Sequence, residues 1–163
     1  MTLTTDQLQF TAQAAEQYCT FWVDGLFFGV AVMDVQEVLR YHDMTVVPRA
    51  PECVHGLINL RGQIVTALDL RTRLGLPPRP EGALPMNVVL RSRDEVVSLL
   101  VDDIGDVIDT SGLALEPAPV TLPGTVRRVL HGVLPLPDSI LLVIDPDLAA
   151  DVAAESVSLG GIQ

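Results

Sequence analysis

The sequence predicts an all-β protein made of two similar halves, each with about five short strands. Three observations carry this prediction. The stretch His55–Asp69 reappears as His131–Asp145, shifted by 76 positions without a gap. Fixed-period similarity of this kind marks a repeated supersecondary unit. Paired β-rich runs with turn residues between them recur along the chain, as in all-β folds. The composition is apolar but aromatic-poor, 48% against 4%, so Val, Leu and Ile must build the core.

The elements follow in order. Thr5 and Asp6 are candidate caps for a short helix running to Gln17, with a thin apolar face of Leu8, Phe10, Ala14 and Ala15. Tyr18–Val23 and Leu26–Val32 flank Asp24-Gly25, a strong two-residue hairpin signal. Val32–Leu39 reads as a short acidic turn or helical element. Val47-Pro48-Arg49-Ala50-Pro51 is a proline loop. Gly56–Leu60 and Gln63–Leu68 form a second hairpin around Arg61-Gly62. Pro77–Gly82 reads as a linker. Met86–Arg91 and Val96–Val101 form a third hairpin. Leu130–Leu136 and Ile140–Ile144 form a fourth around Pro137-Asp138-Ser139. An Ala-rich stretch from Pro146 to Val157 is a candidate terminal helix.

The repeat also extends upstream. Val32–Leu39 aligns with Val101–Ile108 at an offset of 69. The change of offset places a seven-residue insertion of the second half in Ala118–Arg128. Each half thus has the arithmetic of a small, partly closed barrel. The expected organisation is an N-terminal segment 1–17, a first subdomain 18–75, a linker 76–85, a second subdomain 86–150 and a tail 151–163.

Composition limits function. The net charge is -11, and no Lys/Arg-rich patch exists to neutralise phosphates, so nucleic acid is not an expected partner. Anionic membrane surfaces are disfavoured for the same reason. The longest apolar runs are about six residues, far short of a membrane span, so no direct membrane insertion is expected. Two cysteines, Cys19 and Cys53, are too few for a disulfide framework. Met1–Glu16 has neither a basic start nor an apolar core, unlike a signal peptide. A reducing cytoplasm is the expected compartment.

No motif spells catalysis. Ser nucleophile elbows, P-loops and paired metal-ligand clusters are absent from the sequence. His42, His55 and His131 lack a second ligand pair at metal spacing, and His55 and His131 are equivalent positions, as one structural residue copied twice would be. Ile108-Asp109-Thr110-Ser111-Gly112 resembles the aliphatic–Asp–Thr–Gly loop of aspartic proteases. That chemistry needs two carboxylates sharing a proton, and the position equivalent to Asp109 is Arg40. A duplicated hydrolase around Asp109 is the enzymatic alternative.

The copies differ most at one turn: Asn59-Leu60-Arg61-Gly62 against Pro135-Leu136-Pro137-Asp138. Arg61 reads either as a solvated turn residue or as a guanidinium offered to a partner's carboxylates or carbonyls. Because the second copy makes its hairpin with Pro137, the fold does not demand arginine there. Val35 and Val38 read as packing residues with Glu37 solvated.

Gly56-Leu57-Ile58-Asn59-Leu60-Arg61-Gly62-Gln63-Ile64-Val65, continuing to Arg71, resembles the CheW family of bacterial chemotaxis coupling proteins. Val35-Gln36-Glu37-Val38, the proline loop, Leu100–Ile108 and Gly132–Asp145 match further family elements in order. The similarity covers roughly Tyr18 to Ala150. It implies two tandem SH3-like five-stranded β-barrels with short terminal helices, no catalytic activity and no cofactor. It implies two partners, the regulatory domain of the CheA-like histidine kinase and the cytoplasmic tip of methyl-accepting chemotaxis receptors, and hence recruitment to receptor arrays at the inner membrane. Carried over residue by residue, it implies partner contacts at Arg61, Asn59 and Leu60 on the coupling hairpin, at Val35 and Glu37 beside it, and at Val107 in the second barrel. An adaptor of gliding or pilus-based motility would share these features.

Overall fold

The structure, a computed structural model, describes Ala15 and residues 17–151. Ten strands appear: β1 (Gln17–Val23), β2 (Leu26–Ala31), β3 (Val35–Leu39), β4 (Val54–Leu60), β5 (Gln63–Asp69), β6 (Met86–Ser92), β7 (Glu95–Val101), β8 (Asp103–Asp109), β9 (Leu130–Pro135) and β10 (Ile140–Ile144). Three short helices accompany them: α1 (Leu70–Arg73), α2 (Gly124–Arg127) and α3 (Pro146–Ala150). The four hairpins form where the turn chemistry places them, within one or two residues.

Val32–Leu39 is not a single turn or helical element. Only Val32–Asp34 makes a 3-10 turn, and Val35–Leu39 is strand β3, paired with β6. Its counterpart in the second half is strand β8, paired with β1. The acidic residues that suggested a turn sit instead on sheet edges, where one side of the strand stays in water. The expected helix from Thr5 lies outside the described residues, except that Gln17 already opens β1. Of the expected terminal helix only Pro146–Ala150 is described as α3.

The strands form two five-stranded sheets, ordered β8-β1-β2-β10-β9 and β3-β6-β7-β5-β4. Shifting each strand by one half-repeat turns the first order into the second. Each sheet therefore combines strands from both halves of the sequence. The boundaries 18–75 and 86–150 describe the repeat along the chain, while in space the halves exchange their opening hairpins. Neither ladder closes on itself, so each sheet keeps two edge strands.

The repeat has physical causes that the structure makes explicit. Asp69 N–H donates to the Cys53 carbonyl at 2.7 Å, and Asp145 N–H donates to the Val129 carbonyl at 2.9 Å. Asp69 and Asp145 then cap α1 and α3, accepting from the backbone N–H of Arg71 and Asp147 respectively, which satisfies orphan donors at each helix start. The shared glycines have the same reason in each half. Gly56 lies under the Thr45–Leu57 bridge, and Gly132 under the Glu116–Val133 bridge. A Cβ would meet the Thr45 carbonyl oxygen at 2.7 Å or the Glu116 carbonyl oxygen at 2.6 Å. These bridges also relocate the insertion. Thr45 and Glu116 are 71 apart, whereas Cys53 and Val129 are 76 apart. The extra residues therefore enter on both sides of Glu116, not only in Ala118–Arg128.

Three apolar clusters hold the fold. The largest lies between the sheets and draws on both halves, including Phe21, Phe28, Leu68, Leu90, Leu99, Val126 and Ile144. Each sheet has a smaller cluster on its other face, around Ile58, Val65 and Leu100 in one and Tyr18, Leu134 and Leu141 in the other. The central strands β6 and β7 are thus covered on both faces, which explains their near-continuous apolar runs. Two buried polar side chains on the central strands are linked: Ser98 Oγ donates to Asn87 Oδ1 at 2.8 Å, and Asn87 Nδ2 donates to the Arg40 carbonyl at 3.0 Å.

Candidate functional site

The β4–β5 hairpin ends in a two-residue turn with Arg61 at φ 52° and Gly62 at φ 89°. Both central residues are left-handed, as a type I′ turn requires, and Asn-Gly is the sequence such a turn favours. Arginine is not selected there by backbone preference. The turn is secured instead by Asn59, whose Oδ1 accepts the Gly62 N–H at 2.9 Å. Leu60 points the other way, 4% exposed within the cluster around Ile58 and Val65. Of the two neighbours expected to contact a partner, Asn59 shapes the turn and Leu60 anchors it.

Arg61 is 70% exposed and donates from Nη2 to Glu37 Oε1 on β3. The fold thus brings together two predicted site residues, 24 positions apart, from β3 at one edge of the sheet and from the turn before β5 at the other. Ile64, opposite Asn59 in the hairpin, is 62% exposed. Val35 is half-buried and packs against the central cluster. Val107 is 55% exposed on β8, in the other sheet, and its counterpart Val38 is 39% exposed. Val38 is therefore not the packing residue that its sequence setting suggested. Exposed aliphatics beside a charged pair are the composition of a protein-contact surface.

Residues the sequence did not single out hold the opposite corner. Asp102, at the β7–β8 corner, accepts Arg71 Nη2 at 2.7 Å and Nε at 3.0 Å. It also accepts the Asp24 N–H at 2.7 Å and Arg79 Nε at 3.2 Å. Arg71 Nη1 donates to the Pro77 carbonyl at 2.8 Å, which fixes the linker. Burial pushes the Asp102 carboxyl up, but the bonds from Arg71 and Asp24 outweigh it and hold the carboxyl below its ordinary value. The same contact raises Arg71. The short helix α1 carries two arginines, Arg71 and Arg73. Arg73, its second, donates to the Leu148 and Ala149 carbonyls at 3.1 and 3.3 Å and so secures α3.

The equivalent corner of the second half is an open cleft of about 410 Å³, lined by Asp34, Arg91, Arg93, His131, Asp145 and Asp147 among others. Burial, then Asp145 and Asp147, push the Asp34 carboxyl up, against a lowering by Arg91. Asp147 accepts the Ser92 hydroxyl at 2.8 Å. Asp109, the candidate acid of the hydrolase reading, is solvent-exposed at the end of β8 and accepts the Ser111 N–H at 2.9 Å. That bond holds its carboxyl down, the reverse of an acid kept protonated. Among the described residues, no group of three or more His, Cys, Asp or Glu side chains is placed to hold a metal. Nor is any described helix long and apolar enough to cross a membrane.

The CheW-like domain model matches residues 17–153. The chain is 29% identical over 133 residues to the probable chemotaxis protein CheW of Rhizobium etli, covering 82% of this chain and 86% of that one. It is 27% identical to the chemotaxis protein CheW of Rhizobium meliloti, covering 88% and 92%. The solved scaffolding protein TtCheW of Thermoanaerobacter tengcongensis superposes with a TM-score of 0.74 at 26% identity, covering 85% of this chain and 90% of that one. A domain model over most of the chain, curated relatives along most of its length and a solved scaffolding protein of the same fold agree, and this chain is a member of the CheW-like family.

Proposed function

We propose that this chain is a non-enzymatic chemotaxis scaffold that couples the cytoplasmic tips of methyl-accepting receptors to the regulatory domain of a CheA-like histidine kinase. It works in the cytoplasm, gathered into receptor arrays at the inner membrane. The observation that carries this is Arg61: an exposed guanidinium on a left-handed turn position, oriented by Glu37, in a chain of this family. A fixed guanidinium with free N–H donors suits a partner's carboxylates or carbonyls. Arg61 and Glu37 form the polar part of the contact, with Asn59 and Leu60 holding the hairpin in shape. Val35 and Val107 supply apolar contacts on strands β3 and β8.

The test measures binding and folding together. Arg61→Ala is expected to weaken capture of the kinase regulatory domain or of a receptor-tip fragment at least tenfold, on the scale of a lost interface anchor, with an unchanged melting temperature. Full binding of Arg61→Ala to both partners overturns the assignment.

A further inference from the structure

Every ladder that joins one hairpin to another crosses between the halves of the chain. Apart from the isolated Thr45–Leu57 and Glu116–Val133 bridges, the described pairings within residues 17–80 are the hairpins β1–β2 and β4–β5, and β3 has no partner strand there. Within residues 81–151 they are β6–β7 and β9–β10, and β8 has no partner strand there. The remaining four ladders, β1–β8, β2–β10, β3–β6 and β5–β7, are all between halves. The largest apolar cluster is shared in the same way. Each half therefore presents unpaired strand edges and an apolar face that the other half completes.

The covalent link between the halves is slight by comparison. Residues 80–84 are exposed, Gly82 is left-handed at φ 86°, and the Ala83 N–H donates to the Pro80 carbonyl at 3.1 Å. This is a tight reversal. Just before it, Pro77, Pro78 and Arg79 are pinned to the β7–β8 corner through Arg71 and Asp102. Just after it, Pro85 is buried and β6 begins.

We propose that each half of this chain is a docking partner for the complementary half of a second copy, and that the Pro80–Leu84 reversal decides between one chain and two. With the reversal intact, the exchange closes within one molecule. Without it, the same ladders and the same apolar cluster form between two molecules, giving a reciprocally exchanged dimer. Such a dimer loses only the turn itself, which is why exchange through a hinge loop is a low-energy route to association. An exposed loop tip also tolerates insertion and cleavage.

Two changes in the full chain test this. Deleting Glu81, Gly82 and Ala83 removes the reversal; the expected result by light scattering is a particle of twice the 17.6 kDa chain mass with an unchanged far-UV spectrum. Inserting a specific protease site after Gly82 leaves a monomer; after cleavage the two pieces are expected to co-elute and to melt in one transition whose midpoint rises with protein concentration. Mixing equal amounts of cut protein tagged on its first half with untagged cut protein whose second half carries an isotope mass label, then unfolding and refolding, is expected to place about half of the mass-labelled second halves on tagged first halves. A folded monomer from the deletion, an unfolded deletion product, or cut halves that separate overturns the proposal.

Discussion

The two copies of one corner solve the same backbone problem in opposite ways. In the first half, Arg71 on α1 reaches Asp102 and Asp24, and the linker closes over them. In the second half, the position of Arg71 is Asp147, that of Asp24 is Arg93, that of Trp22 is Arg91 and that of Asp102 is Met33. Charge is inverted at two of these positions and the acid is lost at a third. The result is an open cleft, and Met33 is left 87% exposed. The helix cap, the bridge over glycine and the strand register are identical in both. Duplication thus preserved what the backbone demands and freed what only side chains decide.

The largest expected effect separates the two corners. Asp102→Asn leaves the Arg71 guanidinium, 9% exposed, with only the longer contact to Asp24 at 3.6 Å. Breaking a largely buried pair costs about 3–5 kcal/mol, and the melting temperature in thermal unfolding should fall accordingly. Asp147→Asn, at the open corner, should change stability by less than about 1 kcal/mol. Equal losses would mean that the corners are alike after all.

The glycines bound the comparison from the other side. Gly56→Ala and Gly132→Ala should each destabilise by about 1–3 kcal/mol, because each new Cβ meets a bridging carbonyl. Similar losses in chemical denaturation would show that the halves still share this constraint. A loss in one alone would show that it has relaxed.

The pH response sharpens the contrast. Asp102 is held below its ordinary value of 3.8, so its contribution is present above that value and is lost as pH falls through its lowered pKa. Asp34 is held above 3.8, so its ionisation opposes folding above its raised pKa, and acid relieves this between that pKa and 3.8. Asp34→Asn should therefore stabilise at neutral pH and lose its advantage near pH 4. Asp102→Asn should destabilise at neutral pH and lose its disadvantage only at lower pH. Melting curves from neutral pH to about pH 3 check both signs.

The smallest effect concerns the coupling pair. Glu37→Gln removes the carboxylate from an exposed contact, so stability should change by only about 0.2–1 kcal/mol. If Glu37 orients Arg61, binding to the kinase regulatory domain should fall more than stability does. A binding curve unchanged from wild type would leave Arg61 acting alone.

Much of the fold was legible because its causes are local. Asp24-Gly25 and Arg61-Gly62 specify turns by their own dihedral preferences. Asp69 and Asp145 cap helices that begin at the next residue. The candidate site was legible only in part. Alternation along β4 already placed Leu60 on the same face as Ile58, so its burial could have been read. The pairing of Arg61 with Glu37 could not, because nothing in either segment names the other. The same holds for Arg71 and Asp102, which meet across 31 positions.

By itself, the sequence determined the four hairpins, their turns and the doubling, since each rests on propensity and periodicity within a few residues. Tertiary structure alone decided which strands are neighbours. A backbone ladder has no side-chain code, and period-two burial tells which face is covered but not by whom. The exchange of opening hairpins between halves follows from the central apolar cluster that both halves must share, and so does the contact between β3 and the hairpin that carries Arg61.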